Sequence, residues 1–432
     1  VPPSAGSPPA GAAGGDGGGR PLRVLQLITT LARGGAQATV LASADPADLA
    51  DRRVEVTVLA GVDATGEGSY WDDQAIERLR IEPVPDLVRP LRPGSDARAL
   101  RWLIARLRAD PPDVVHTHSS KAGVLGRLAA RVVGLPCVHT VHGWGPVNAG
   151  RGPARVAAIG LERFLAQRSA ALVVVGEGDR TFGLANRIGR PEQYRLIRSG
   201  IELDRELDQR GSLAADPAAR DRLRARLGLD DRFVVGMVGR LAPQKDQLTL
   251  IEAVARAGLA RSTLVLVGDG PRRADLERAA AGRPDLDIRF LGARPDGARL
   301  VRAFDVAVNA SRWEGLPRVV VEAAAAGVPV VASDVGSTGE LVENGRTGWL
   351  VPPADPDALA DAIAEIAADP GLAEARAEEA RRRVGAYSAD RMRDDLVALW
   401  WEVAGRAAPS ADADGPVDRR GPAGQRTVSS PR

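Results

Sequence analysis

Glu314 and Glu322 stand eight positions apart in Ser311-Arg-Trp-Glu-Gly-Leu-Pro-Arg-Val-Val-Val-Glu322, a segment that runs on to Gly327. Proline suits the first position of a helix and glycine its C-terminal stop, so Pro317 and Gly327 predict a helix between them. Glu314 then lies in the preceding loop and Glu322 inside the helix. The unpaired N–H groups at the helix start, about residues 317–319, would attract an anion. One short segment thus offers a phosphate cradle flanked by two carboxylates able to grip hydroxyls. A nucleotide sugar carries both groups. The plainer alternative is a solvated Glu pair on an amphipathic helix.

Other residues fit the same chemistry. Arg240 and Lys245 follow a predicted strand. Breaking a sugar–phosphate bond puts negative charge on the leaving diphosphate, and fixed cations stabilise that charge more in the transition state than in the ground state. A metal held by Asp-x-Asp could serve instead, but Asp285-Leu-Asp287 precedes a strand and reads as a surface turn. Lys121 and Lys245 are the only lysines among 58 basic residues, which suggests that Lys245 is kept as a compact ammonium. Gly34-Gly35 and Gly268-Asp-Gly270-Pro271 each end a strand and open a helix, where glycine lets a ligand approach the backbone. All four histidines fall between positions 116 and 142. His116 and His118 share one face of a strand. Four close histidines could ligate zinc, although their spacing fits no standard site; packing roles suit His116 and His139.

In order and spacing these motifs resemble family 4 of the retaining glycosyltransferases. The resemblance covers most of residues 22–405 and includes Glu314 and Glu322 as the E-x7-E pair, Gly34-Gly35, His139-Thr-Val-His142-Gly143, Val238-Gly-Arg240-Leu with Lys245, and Gly268-Asp-Gly270-Pro271. It implies a GT-B architecture and a metal-independent, retaining transfer from a nucleotide-diphosphate sugar, UDP before GDP. It also implies roles. Glu322 would bind ribose hydroxyls, and Glu314 a donor-sugar hydroxyl together with backbone amides around Leu316–Arg318, in a substrate-binding loop that includes Gly315 and Pro317. Arg240 and Lys245 would take the diphosphate, Gly292 and Ala293 would lie beside the base, and His142 and Gly35 would complete the far wall. Ser199-Gly200 stands where the family usually has Asn-Gly, and Asp45-Pro46 breaks the first helix early.

The elements that must hold these residues alternate. Predicted strands at 22–28, 54–60, 114–117, 138–141 and 171–175 are separated by helices. After a junction near 199–212 the pattern restarts at 233–238, 264–267, 288–291, 306–309 and 328–332. Such alternation predicts an α/β protein with two Rossmann-like, doubly wound parallel sheets facing a cleft. The expected division is a tail at 1–20, an acceptor-side domain at 21–203, a nucleotide-sugar domain at 204–388, a helix at 389–406 returning to the first domain on Trp400 and Trp401, and a tail at 407–432. Only 3% of residues are aromatic, so Ala, Val and Leu must build the cores. The single cysteine, Cys137, excludes an internal disulfide and reads as a small buried hydrophobe.

No run of about 18 apolar residues is present to span a bilayer. Residues 1–20 contain no apolar h-region, which argues against a secretory signal and for a cytoplasmic location. Residues 21–205 carry 25 basic and 20 acidic groups, and residues 206–388 carry 25 and 28. The more basic first half, with Arg151, Arg155, Arg163 and Arg168 on one amphipathic helix, would suit peripheral contact with an anionic membrane; an ordinary solvated face is the alternative. No basic block with interleaved aromatics points to nucleic acid. The run His116-Thr-His-Ser-Ser-Lys-Ala-Gly-Val-Leu-Gly126 looks like members that build cell-surface polysaccharide on lipid carriers. Two other functions fit the architecture: a nucleotide-sugar 2-epimerase, and a two-domain sugar-binding protein without enzymatic activity.

Overall fold

Runs such as Leu22–Thr30 are buried along nearly their whole length, as expected of strands covered on both faces. In the computed structural model, which describes residues 20–62, 69–73, 76–145, 147, 152–202, 217–229 and 231–408, these runs form two sheets. The first has the order β3-β2-β1-β4-β5-β6-β7, from β1 (Leu22–Thr30), β2 (Val54–Gly61), β3 (Arg80–Pro83), β4 (Val114–His118), β5 (Cys137–Val141), β6 (Ala171–Val174) and β7 (Tyr194–Leu196). The second has the order β10-β9-β8-β11-β12-β13, from β8 (Phe233–Val238), β9 (Ser262–Val267), β10 (Ile288–Gly292), β11 (Val306–Asn309), β12 (Val330–Ser333) and β13 (Trp349–Val351). Every pairing between these strands is parallel.

In both sheets the chain winds outward one way, returns, and winds outward the other way. The reversals fall between β1 and β4 and between β8 and β11. Helices leave opposite faces on either side of such a point, which opens a crevice at the strands' carboxyl ends. Gly34, Arg240 and Glu314 follow β1, β8 and β11, so these motifs open onto the two crevices.

The helices used below are α1 (Gly35–Ala42), α2 (Pro93–Ala109), α3 (Ser120–Val133), α4 (Gly152–Ala166), α5 (Glu177–Ala185), α6 (Arg318–Ala325) and α7 (Ala389–Val403). Asp45 caps a separate short helix, Pro46–Leu49, so the chain does break after α1. One face of the first sheet packs on α2 and α3. The other face packs with Leu396, Leu399, Trp400 and Trp401 of α7 against Leu22, Val24 and Val173. The last helix therefore lies on the first sheet although the second precedes it in sequence.

Two chain segments cross between the sheets. Ile201 N–H bonds Tyr387 O at 2.9 Å, and Ala389 N–H bonds Ile201 O at 2.8 Å. Gly200 is needed there, since a Cβ would lie 2.5 Å from Ala389 Cα. A small apolar cluster of Val175, Ile201, Leu316, Val321 and Tyr387 joins the two halves beneath the crossing. The sequence expectation at Arg151, and nearly all of both expected tails, lie outside the described residues.

Candidate functional site

Loops after β8 and β11 build one wall. The loop after β11 carries buried Ser311 and nearly buried Glu314. Lys245, from the loop after β8, reaches across and forms a short ion pair with Glu314. Ser311 Oγ lies 2.6 Å from the same carboxylate oxygen, and Gln244 donates to Trp313 O at 2.8 Å. Arg312 N–H bonds Gln244 O at 2.8 Å, which fixes the spacing of the two loops. Glu314 is thus neutralised by a specific cation, as a carboxylate this deep requires. Arg240 lies exposed beside these loops, and its backbone oxygen accepts from Gln247 at 2.9 Å.

Glycines in the neighbouring loops have a packing reason. A Cβ on Gly268 would sit 2.0 Å from Gly239 O, and one on Gly270 would sit 2.5 Å from Leu241 O. Both also have positive φ, at 141° and 157°. The loop after β9 can nest on that after β8 only without side chains. Gly292 accepts from Gly268 N–H at 2.8 Å, and Gly292 and Ala293 extend this rim.

The helix start differs from the sequence expectation in one respect. Pro317 is the N-cap, so the helical turn opens at Arg318, and Gly327 follows the C-cap Ala326 with φ 68°. Proline carries no N–H, and Val320 N–H turns back to Pro317 O at 3.0 Å. The open donors reduce to Arg318 and Val319 rather than three residues from 317. Arg318 compensates by its side chain: its guanidinium donates to Gly200 O at 2.5 Å and lies 3.9 Å from Glu322. A Cβ on Gly35 would meet Arg318 Cδ at 3.2 Å, so α1 and α6 start against one another. Gly34 is the extended N-cap of α1.

The opposite wall follows β4 and β5. His142 Nε2 lies 3.1 Å from His118 Nδ1. Burial, helped by the Arg318 guanidinium, holds the His142 pKa down to about 4, so its ring is neutral near pH 7. Gly143 has φ 95° and presses on Gly315, where a Cβ would lie 2.9 Å from Gly143 N. The seam continues along α5: Gly178 N–H donates to Ser337 Oγ at 3.1 Å, Glu177 N–H to Glu340 Oε1 at 2.5 Å, and Arg198 pairs with Glu340 at 3.1 Å.

Asp179 sits inside this seam and escaped the sequence reading, because nothing in Gly176-Glu-Gly-Asp-Arg180 distinguishes it from a first-turn acid on an exposed helix. Its side chain is buried and Oδ2 has no partner. Burial, with the Glu340 and Glu314 carboxylates, pushes its pKa up to about 8. Tyr70 was also missed. Its ring stands 4.8 Å from the Arg33 guanidinium, within the field of Arg318 and Glu322.

Other residues fall outside the cleft. Asp287 precedes β10 at its amino end, where it accepts from Thr263 and pairs with Arg289. Lys121 pairs with Asp96 at 2.6 Å and fastens α3 to α2. His139 is fixed to Thr117 at 2.9 Å, and Cys137 is buried with its pKa pushed up to about 12. His116 accepts from Trp400 Nε1 at 3.1 Å and bonds Thr140 at 2.7 Å, which leaves its nitrogens spent on packing partners rather than on a metal. Among the described residues no group of three or more His, Cys, Asp or Glu is arranged to hold a metal ion. A cavity of about 530 Å³ lies at the amino ends of β8, β11 and β12, lined by Phe233, Phe304 and Arg302; none of the motif carboxylates lines it.

Two doubly wound parallel sheets with such loops facing one another define the GT-B glycosyltransferase class. Residues 17–205 match the model of Glycosyltransferase Family 4, and residues 232–369 that of Glycosyl transferases group 1. The chain is 33% identical over 308 residues to the UDP-Gal:alpha-D-GlcNAc-diphosphoundecaprenol alpha-1,3-galactosyltransferase of Escherichia coli, covering 69% of this chain and 77% of that protein. It is 30% identical over 416 residues to the D-inositol 3-phosphate glycosyltransferase of Actinosynnema mirum, covering 90% and 93%. The chain belongs to glycosyltransferase family 4 and is a glycosyltransferase. Its fold is similar to that of Anabaena Alr3699/HepE solved with UDP and glucose, with TM-score 0.74, 23% identity and coverage of 88% of this chain and 100% of that one. It is also similar to WaaG, a glycosyltransferase involved in lipopolysaccharide biosynthesis, with TM-score 0.68, 19% identity and coverage of 87% and 99%.

Proposed function

We propose that this enzyme moves a hexose or N-acetylhexosamine from a UDP-sugar to a lipid-linked glycan or related sugar acceptor in cell-surface polysaccharide synthesis. The transfer proceeds with retention, and no metal is needed. The reading rests chiefly on the Lys245–Glu314 pair beside Arg240, at the carboxyl ends of β8 and β11 and facing His142 and Gly35. The E. coli relative, whose name specifies UDP-Gal and a diphosphoundecaprenol-linked GlcNAc, supports the donor and acceptor classes.

In this reading Arg240 and Lys245 stabilise the leaving diphosphate, the task a divalent cation performs elsewhere. Lys245 is held in place by Glu314, whose Oε2, 3.5 Å from Gln244 Nε2, takes a donor hydroxyl. Glu322 takes the ribose hydroxyls, and the Arg318 and Val319 amides add donors. The Gly315 and Leu316 loop closes over the sugar, with Gly268, Gly270, Gly292 and Ala293 along the nucleotide side and Gly34 and Gly35 on the far wall. The bond from C1 to the phosphate oxygen breaks, its electrons passing to that oxygen. The acceptor hydroxyl attacks C1 from the same face and gives its proton to the departing phosphate, so no separate base is required.

No described helix is long and apolar enough to cross a membrane. A peripheral position on the cytoplasmic face fits α4, which exposes Val156, Leu161 and Phe164 beside Arg155 and Arg163.

The test is incubation of the enzyme with UDP- and GDP-sugars and lipid-linked acceptors, reading nucleotide release, product mass and anomeric configuration. Acceptor-dependent UDP release that survives EDTA is expected. Activity lost to chelator and restored by Mn2+ or Mg2+ would remove the metal-independent part. UDP release with an epimerised free sugar would indicate the epimerase instead, and binding without turnover the sugar-binding protein. Glu322→Ala should remain folded, abolish transfer and weaken UDP binding by about tenfold or more, the scale of a charged hydrogen bond. Unchanged UDP affinity would reject the ribose assignment.

A further inference from the structure

Trp400 can only donate from its indole nitrogen, so its 3.1 Å bond to His116 Nδ1 makes that atom an acceptor. The His116 proton therefore sits on Nε2 and is given to Thr140 Oγ1 at 2.7 Å. His118 packs against this locked ring, tilted by 38° with centroids 4.2 Å apart, and its ring also meets that of His142 at 5.4 Å. His118 is thus clamped between a fixed ring and the cleft histidine.

One proton must lie between His118 Nδ1 and His142 Nε2, which are 3.1 Å apart. His118 Nε2 is buried and has no partner. If His142 gave the proton, the neutral His118 would carry its own on Nε2, as a buried N–H with nothing to accept it. If His118 gives it, Nε2 is only an unused lone pair. Orphaned buried N–H groups are the rarer and costlier of the two. Protonation of both nitrogens is no escape, because burial and the neighbouring histidines hold the His118 pKa well below its usual value. The remaining nitrogen of His142, Nδ1, has no protein partner and is not among the sealed polar atoms.

We propose that His118 is a positioning residue: its Nδ1–H fixes His142 as the tautomer that presents Nδ1–H to the cleft. His142 is then a neutral hydrogen-bond donor toward the donor sugar or its phosphate. It adds no net charge beside Arg318, and its ring cannot turn without breaking the bond to His118. The catalytic consequence rests on the proposed role of His142 in the cleft; the tautomer assignment does not.

Four histidines in the chain make the test direct. Long-range 1H–15N spectra of the full chain labelled with 15N-histidine report the protonated nitrogen of each ring, and single His variants assign them. The expected pattern is Nδ1–H for His118 and His142 and Nε2–H for His116. His118→Asn, whose amide can occupy the Nδ1 position, should keep His142 as Nδ1–H and most of kcat. His118→Gln, which reaches the Nε2 position, and His118→Phe should let His142 shift toward Nε2–H. Their kcat should fall about one to two decades with donor KM changed less, short of the roughly 10²–10³ lost with a whole oxyanion donor. A wild-type His142 protonated on Nε2 overturns the proposal whatever the variants do. Equal losses in the Asn and Gln variants with an unchanged His142 tautomer also overturn it, reducing His118 to packing. If the spectra are as expected but His142→Ala transfers sugar at the wild-type rate, the tautomer assignment stands and the cleft role of His142 fails.

Discussion

Lys245 and Glu314 show how one contact can serve stability and chemistry together. Both side chains are largely buried, so removing one charge leaves the other without compensation. Lys245→Met is expected to lower unfolding free energy by on the order of 3 kcal/mol. Adding Glu314→Gln should restore most of that loss but none of the transfer, read as denaturant midpoints beside UDP release. Independent, additive losses in the double variant would show that the pair is not coupled. Asp179 makes a different prediction at the same scale. Its folded pKa, about 8, lies above the unfolded value of about 3.9. Its contribution is therefore fully present below the unfolded value and is lost as pH rises through the folded one. The acids facing it are Glu340 and Glu314, with Glu177 and Arg180 on its own helix. Thermal midpoints should fall between pH 5 and 8 in the wild type, and Asp179→Asn should flatten that slope and melt higher at pH 8. Parallel curves for the two proteins would refute the assignment.

Among the elements, α4 and α7 present opposite cases. Trp400 is fully buried, and α7 buries its apolar face on the first sheet. Apolar residues of α4 stay outside, with Val156 71% exposed and Phe164 44% exposed under the Arg168 guanidinium. An apolar patch with a basic rim fits the headgroup region of an anionic bilayer. Val156→Asp with Phe164→Asp should abolish binding to anionic liposomes while leaving transfer to a soluble acceptor intact, measured by co-sedimentation and turnover. Arg163 donates to Asn186 O at 2.7 Å, so its replacement would mix folding with docking. Wild-type liposome binding that is absent even at low salt would argue for a soluble acceptor. Most strands were legible in the sequence because each clusters β-branched and large apolar residues between turn signals, as in Phe233–Val238 and Ser262–Val267. The edge strands β3, β7 and β13 were not. Arg80-Ile-Glu-Pro83 alternates charge with apolar groups and ends in proline, and the other two span only three residues each.

At the scale of the molecule, the two halves meet at the Gly143–Gly315 contact and along the α5 seam, and are tethered by the crossing at Ile201 and Ala389. The two connecting segments run side by side at that crossing. Such an arrangement suits hinge closure around a ligand. Closure would exclude water, which otherwise competes with the acceptor. Small-angle scattering should record a smaller radius of gyration on adding UDP-sugar. Gly315→Val should reduce the change, since any Cβ there meets the opposing backbone at 2.9 Å. An unaltered radius at saturating donor would mean that the halves do not move.

The sequence by itself determined the alternation of strand and helix, the two-sheet class, and the chemical types on the site loops, because hydrophobic runs, glycines and the Glu314–Glu322 spacing are local properties. It also marked Lys245 as unusual through composition alone. Tertiary structure alone decided the partners. Lys245 and Glu314 are far apart in the chain and meet only because β8 and β11 are neighbours at the switch of the second sheet. Asp179 reads as an ordinary surface acid until α5 docks on the opposite half and removes its water. His118 reads as one of two alternating strand residues until α7 returns with Trp400 and fixes the ring it packs against. In each case the property lies in desolvation or in a through-space contact, and the chain's linear order encodes neither.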